Sequence, residues 1–153
     1  MIYWQARDLS GKSNLKYSSP PEVPNGNVLY FMERLHGKAN RYLFVTEGFF
    51  DAYHLEGVSI LKNKISNGQF NLLENSPKTK VIVPDYNEDG IGLAEQAIQY
   101  GWGVSLPTIP WGYDITAAIS EYGKLFVIKS VMDNISFGFE AKVKLKMLQL
   151  EVS

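Results

Sequence analysis

Two acidic clusters interrupt the most apolar stretches of the chain. Thr46-Glu47-Gly48-Phe49-Phe50-Asp51 follows the run 42–45, and Asp85-Tyr86-Asn87-Glu88-Asp89-Gly90 follows Val81-Ile82-Val83. Each sits where a strand is expected to end. The carboxyl ends of parallel strands open into one crevice, so clusters far apart in sequence can meet there. Carboxylates gathered in a crevice repel one another unless a cation lies between them, and hard oxygen donors favour Mg²⁺ or Mn²⁺. A divalent cation on carboxylates, with phosphates completing its shell, points to phosphoryl-transfer chemistry.

Each acid also has a plainer explanation. Glu47, at a strand-to-helix junction, is what a helix N-terminus favours electrostatically; the glycine after it would in addition let a ligand approach the backbone. Asp51 lies one helical turn on, on the same face, and can either pair with a neighbour or orient Glu47. Asp85 heads an Asp-x-Asn-x-Asp-Gly run with oxygen donors at alternating positions. An EF-hand loop would need a closing glutamate where Gln96 stands, so Asp85 with Asn87 and Asp89 nearby fits a Mg²⁺ site better. Asp114, after Pro110-Trp111-Gly112-Tyr113, is either a further carboxylate in the crevice or the N-cap of the segment that follows. Arg7, Lys12, Lys16 and Arg41 lend the N-terminal part basic character, with Tyr3, Trp4 and Tyr17 interleaved as possible stacking surfaces or buried aromatics. His36 and His54 are expected to be ordinary surface or core histidines.

The elements that must position these residues form a βα series from residue 41 onward. Strands are expected at 42–46, 58–61, 80–84 and 103–106. Helices are expected at 48–55, with Phe49, Ala52, Tyr53 and Leu55 inward, and at 69–74, 91–100 and 113–122. Gly101 should end the third helix. Alternation at this spacing predicts an α/β fold, a mostly parallel sheet with helices on both faces. Ahead of it, 2–5 and 15–17 read as short strands separated by a turn, 18–26 as a Pro-containing loop and 28–35 as a strand entering a short helix. Behind it, 124–134 reads as an amphipathic helix and 137–150 as a helical tail. The expected division is an N-terminal appendage at 1–40, an α/β domain at 41–135 and a C-terminal helical tail at 136–153.

Composition narrows the classes. With 45% hydrophobic and 20% charged residues in 153, the chain is an ordinary globular one with enough length for a real core. It has no cysteine, which excludes disulfides and thiolate zinc sites, and only two histidines to supply a zinc site of any other kind. No run approaches a membrane span and no signal-peptide pattern is present, so a soluble cytoplasmic protein is expected. The net charge of −1 means that any grip on nucleic acid must come from a local basic patch, bound metal or another domain. No Walker A, Gly-x-Ser-x-Gly or Gly-x-Gly-x-x-Gly motif occurs in a suitable place.

With these residues in view, the chain resembles a TOPRIM domain, and more narrowly the core of a DnaG-type or tailed-phage DNA primase. Glu47-Gly48-x-x-Asp51 resembles the family's acidic strand-end motif, and Asp85-x-Asn87-x-x-Gly90 its Asp-x-Asp-x-x-Gly motif, with asparagine in place of the second aspartate. Asp114 stands for the third acidic element, preceded by Tyr113 where the family often has lysine. Upstream, 3–8, 15–20 and 27–30 are similar to the segment before TOPRIM in these primases. The resemblance implies Mg²⁺- or Mn²⁺-dependent, zinc-independent nucleotidyl transfer making RNA primers from NTPs on a single-stranded DNA template, in a bacterial or phage-infected cytoplasm. Glu47, Asp85 and Asp51 would be catalytic; Glu47, Asp85, Asn87, Asp89 and Asp114 would hold metal; Arg7, Lys16 and Tyr17 would meet template or nucleotide. A replicative helicase or a separate zinc-binding domain would be partners, and the chain would be a fragment needing other domains. A TOPRIM nuclease, or a non-catalytic TOPRIM binding module, remains the alternative.

Overall fold

The computed structural model describes residues 28–153 together with Ala6, Arg7, Ser10, Tyr17 and Ser18. Two short strands, β1 (Ala6–Arg7) and β2 (Tyr17–Ser18), pair antiparallel with Arg7 opposite Tyr17. The strand expected at 2–5 lies outside the described residues.

The main sheet is organised around β3 (Tyr42–Thr46), whose side chains are buried on both faces. Leu43 and Val45 enter one core and Phe44 the other. That two-sided burial is why the strand reads as a continuous apolar run, as parallel strands do. β4 (Val58–Ser59) and β5 (Thr79–Ile82) flank it, both parallel to it, with Val45 opposite Val58 on one side and Ile82 on the other. β6 (Gly103–Ser105) continues in parallel beside β5, and β7 (Ile135–Ser136) closes that edge antiparallel. The order is β4-β3-β5-β6-β7. At the opposite edge Tyr30 forms an antiparallel bridge with Ser59, just before a 3-10 turn at Met32–Leu35.

Among the described residues six α-helices cover the sheet. α2 (Asn67–Glu74), α3 (Glu88–Gln99) and α6 (Gly138–Val152) pack one face through Leu73, Leu93, Ala94, Ala97, Ala141 and Leu145. α1 (Phe49–His54), α4 (Ile115–Tyr122) and α5 (Lys124–Asp133) cover the other through Leu55, Ile115, Ala118, Val127 and Val131. β3 feeds α1 on one face and β5 feeds α3 on the other. The chain therefore diverges between β3 and β5, which is where an open α/β sheet forms its ligand crevice.

The expected parallel sheet with helices on both faces is the observed one, with differences at element ends. α2 starts at Asn67 rather than 69 because Ser66 and Gln69 form a reciprocal capping box. α3 starts at Glu88 rather than 91 because Asn87 caps it, and α4 at Ile115 because Asp114 caps it. Gly101 ends α3 with φ of 76°, a conformation open to glycine. Tyr53, expected inward, is 56% exposed. The buried stripe of α1 runs through Ala52 and Leu55, and one residue's rotation of roughly 100° carries Tyr53 off it. β7 was not expected as a strand. In α6, Val143, Met147 and Leu150 face outward while Ala141 and Leu145 are buried.

Gln69 is the polar strut of this core. It is fully buried; its side-chain amide donates to the carbonyls of Val28 (2.8 Å) and Ile60 (2.9 Å), and its Oε1 accepts from Ser66 N–H (3.1 Å). Gln69→Leu should cost about 3 kcal/mol, because it strands the buried carbonyl of Ile60 and the partly buried one of Val28, against about 1 kcal/mol for the cap variant Ser66→Ala. Urea denaturation of the two variants checks the ordering.

Candidate active site

Glu47 follows β3 and Asp85 follows β5, so the parallel register delivers both to the same end of the sheet. The backbone N–H of Asp85 donates to Glu47 Oε1 (3.3 Å). Around it, Ser59 Oγ donates to the carbonyl of Glu47 (2.8 Å), as does Leu61 N–H (3.0 Å). Thr46, fully buried, donates its hydroxyl to the carbonyl of Gly48 (2.9 Å). The Glu47 backbone is thus tied to β4 while its carboxylate is tied to the β5 end.

Its electrostatics are unfavourable to charge. Burial, then the Asp85 carboxylate, push the Glu47 carboxyl up to about 8, with smaller contributions from Asp89 and Asp51 and partial relief from the Asp85 N–H. A side chain held against its own ionisation by neighbouring anions is a place where a cation binds with gain. Among the described residues no three acidic or histidine side chains stand close enough to share one cation. The site therefore offers two carboxylates, the donor set with which Mg²⁺ binds when substrate phosphates and water complete its shell. On that ground the residues fit a divalent ion bound together with a phosphate ligand.

Asp51 is turned away toward α4. It is 4% exposed, and its Oδ1 accepts from both the backbone N–H (2.8 Å) and the hydroxyl (2.6 Å) of Thr116. Burial raises its carboxyl to about 6, the Thr116 hydroxyl lowering it and Asp114 raising it. Asp114 spends an oxygen on the N–H of Ala117 (2.7 Å), capping α4. Asn87 does the same for α3, its Oδ1 accepting from Gly90 N–H (2.8 Å). Asn87 and Asp89 are both exposed at the first turn of α3. Glu47 and Asp85 therefore form the pair, with Asp89 near enough to act on Glu47 electrostatically, while Asp51 and Asp114 are engaged with α4.

The loop that carries Asp114 is held by Tyr86, a residue the sequence pattern did not single out. Its N–H donates to the carbonyl of Tyr113 (2.9 Å), its carbonyl accepts from Gly112 N–H (2.6 Å), and its hydroxyl donates to the carbonyl of Pro107. Thr116 and Ser59 also escape sequence analysis: a hydroxyl inside an apolar segment carries no local sign of its distant partner. Lys16 lies outside the described residues, and Arg7 and Tyr17 face each other across β1 and β2 as backbone partners. His36 is exposed, and His54 on α1 is half-buried.

Gly90 explains the glycine of the second motif. A Cβ there would stand 1.9 Å from the carbonyl oxygen of Asp85, so the first turn of α3 packs directly on the acid's own backbone.

No protein-family model matches the chain, and no curated protein matches it in sequence. Solved structures do match in fold. The primase of Aquifex aeolicus, comprising zinc-binding and RNA polymerase domains, superposes with a TM-score of 0.74 at 24% identity, covering 98% of this chain and 41% of that one. The E. coli primase catalytic core gives 0.71 at 22% identity over 97% of this chain and 52% of that one. A DnaG primase catalytic domain bound to single-stranded DNA gives 0.69 at 20% identity over 99% and 50%. This chain carries the TOPRIM-type α/β fold of the DnaG primase catalytic core. It spans about half the length, or less, of these primase chains.

Two predictions follow from this geometry. A carboxyl raised by folding binds more protons in the native than in the unfolded state, so it subtracts stability as pH rises from its ordinary value to the raised one. For Glu47 that window runs from 4.5 to about 8. Glu47→Gln should flatten the decline above pH 6, leave the part due to Asp51 below it, and raise the melting temperature at pH 9 by on the order of 5 °C. Thermal melts from pH 4 to 9 read this directly. Gly90→Ala should cost about 3 kcal/mol by overpacking against the Asp85 carbonyl, measurable by the same denaturation.

Proposed function

We propose that this chain is the catalytic core of a primase-like nucleotidyltransferase, which joins NTPs on a single-stranded DNA template with Mg²⁺ or Mn²⁺ bound at Glu47 and Asp85. The observation that carries this reading is the convergence of those two carboxylates at the end of adjacent parallel strands, in a fold shared with primase catalytic cores, one of them bound to single-stranded DNA. A divalent ion bound there would neutralise a nucleotide's phosphates and lower the pKa of an attacking hydroxyl.

The chain's own residues have distinct tasks in this scheme. Glu47 would hold the ion as its carboxylate, which the Asp85 N–H keeps in place. Asp89 adds negative potential at the rim, and Asn87 fixes the start of α3. Asp51 acts as a positioning residue, locking α4 and Asp114 beside the pair. Arg7, Lys16 and Tyr17 are assigned to template or nucleotide phosphates and bases. A separate zinc-binding domain and a replicative helicase are the proposed partners in a bacterial or phage-infected cytoplasm. The division into an appendage at 1–40, a TOPRIM domain at 41–135 and a tail at 136–153 belongs to the same proposal.

A non-catalytic binding module is the second reading, favoured by the way Asn87 and Asp114 spend their oxygens on helix caps. A nuclease would use the same acid pair. Mn²⁺ titration followed by spin resonance separates the first two. Binding by the parent chain that weakens at least tenfold in Asp85→Asn supports a working centre. No binding by the parent, with or without a nucleoside triphosphate, sinks it in favour of the module. Plasmid nicking by a chain that binds Mn²⁺ would instead identify the nuclease.

A further inference from the structure

α6 is apolar on two opposite sides. Ala141 and Leu145 are buried against the sheet, and Leu148 is half-buried in the second core. Val143, Met147 and Leu150 each follow one of these by two residues, roughly 200° of helical turn, and so face directly outward. They are 41%, 56% and 68% exposed. A surface helix ordinarily carries one apolar stripe. The second stripe here has no partner among the described residues.

The two edges between these stripes differ in charge. Lys142 and Lys146 lie on one, and neither makes an ion pair among the described residues. On the other, Lys144 is spent on Glu140 (2.7 Å), which leaves Glu151 to set that edge's sign. A surface of anionic lipid would favour lysine on both edges, so it is a poor occupant. A second copy of α6 supplies both signs at once. Val143, Met147 and Leu150 are spaced four and then three residues apart, as the d, a and d positions of a heptad. In that frame Lys146 is a g residue and Glu151 the following e residue. Two parallel copies bring g of each against e of the other, which pairs Lys146 with Glu151 twice. An antiparallel pair would instead set the two Lys142–Lys146 edges against each other, like charge on like.

We infer that α6 is a homodimer interface, two copies pairing in parallel through Val143, Met147 and Leu150, with Lys146 of each against Glu151 of the other. A seam of three layers is at the small end of specific interfaces, so the pair is weak and reversible. The direction of pairing bears on the crevice. β7 runs against the parallel strands, so α6 leaves from their amino ends. Its far end lies on the crevice side: burial and then the Glu151 charge raise the Tyr86 hydroxyl, which bonds the Pro107 carbonyl just past β6. Parallel pairing therefore opens the crevices of both copies toward the same side. The pairing needs no metal and does not rest on the function proposed above.

The test is sedimentation velocity of the full chain in EDTA, over a concentration series reaching the high micromolar range. A reversible monomer–dimer equilibrium is expected. Met147→Glu should weaken it about tenfold or more without lowering the melting temperature, because that side chain is exposed in the monomer. Leu125→Glu, at an 86% exposed position on α5, should change it less than about twofold. Lys146→Glu and Glu151→Lys should each weaken it roughly fivefold, and the double swap should return it to within about twofold of the parent. The chain has no cysteine, so Val143→Cys and Leu150→Cys, made singly, report the direction of pairing. Under oxidised glutathione each should cross-link with its own copy, as only a parallel pair allows at both positions. A parent that stays monomeric, a dimer indifferent to Met147→Glu, a double swap no better than the single ones, or failure of either cysteine variant to cross-link with itself overturns the inference.

Discussion

The register between β3 and β5 is the constraint on which the site depends. Val45 lies opposite Ile82, and the strands cannot slip without turning their buried side chains to the wrong face. Each strand is followed closely by an acid, so the same pairing that builds the core forces Glu47 and Asp85 together. The sheet supplies the cohesion and the site stores the repulsion. That division is a common signature of function: groups held where they are least comfortable, by contacts elsewhere that leave no alternative.

Support for the acids comes from polar groups that do no chemistry themselves. Ser59 and Leu61 grip the Glu47 carbonyl from one side and the Asp85 N–H reaches its carboxylate from the other. Tyr86, buried directly after Asp85, staples the Pro107-to-Tyr113 loop to the β5 end. Asp51 then bonds Thr116 and joins α1 to α4 across the same face. Among the described residues the backbone around the acids is thus tied to β4, to the end of β5 and to α4.

How much of this is legible in the sequence depends on the range of each interaction. The strand–helix alternation, the burial of 42–46 and the helix ends at Asp114 and Gly101 are local signals and can be read directly, whereas the Asn87 cap is hidden within the acidic run, so the helix after it looks as if it starts at 91 and not at Glu88. The Ser66–Gln69 box is equally local, yet it precedes a weakly apolar helix whose periodicity starts late, so the helix looks two residues shorter than it is. Tyr53 is misjudged because a six-residue helix presents too few turns to define a face. The Asp51–Thr116 bond, the Tyr86 staple and the two-residue strand β7 are long-range facts. Nothing near them in sequence distinguishes Thr116 from any helical threonine or Ile135–Ser136 from a loop. For the same reason the clusters of acids are visible while which of their members form the pair is not.

The sheet's borders have a consequence of their own. On the β4 side the outer strand is only Val58–Ser59, and Tyr30 already occupies its open hydrogen-bonding positions. On the β6 side the last strand is the reversed dipeptide Ile135–Ser136, from which the chain turns at once into α6. Neither border offers a row of free amides long enough to template another strand. A parallel sheet is otherwise exposed to edge-on recruitment of neighbouring chains. Among the described residues the growth of the five-stranded sheet is terminated at both edges by the chain itself, so this sheet offers a second copy no edge on which to extend it.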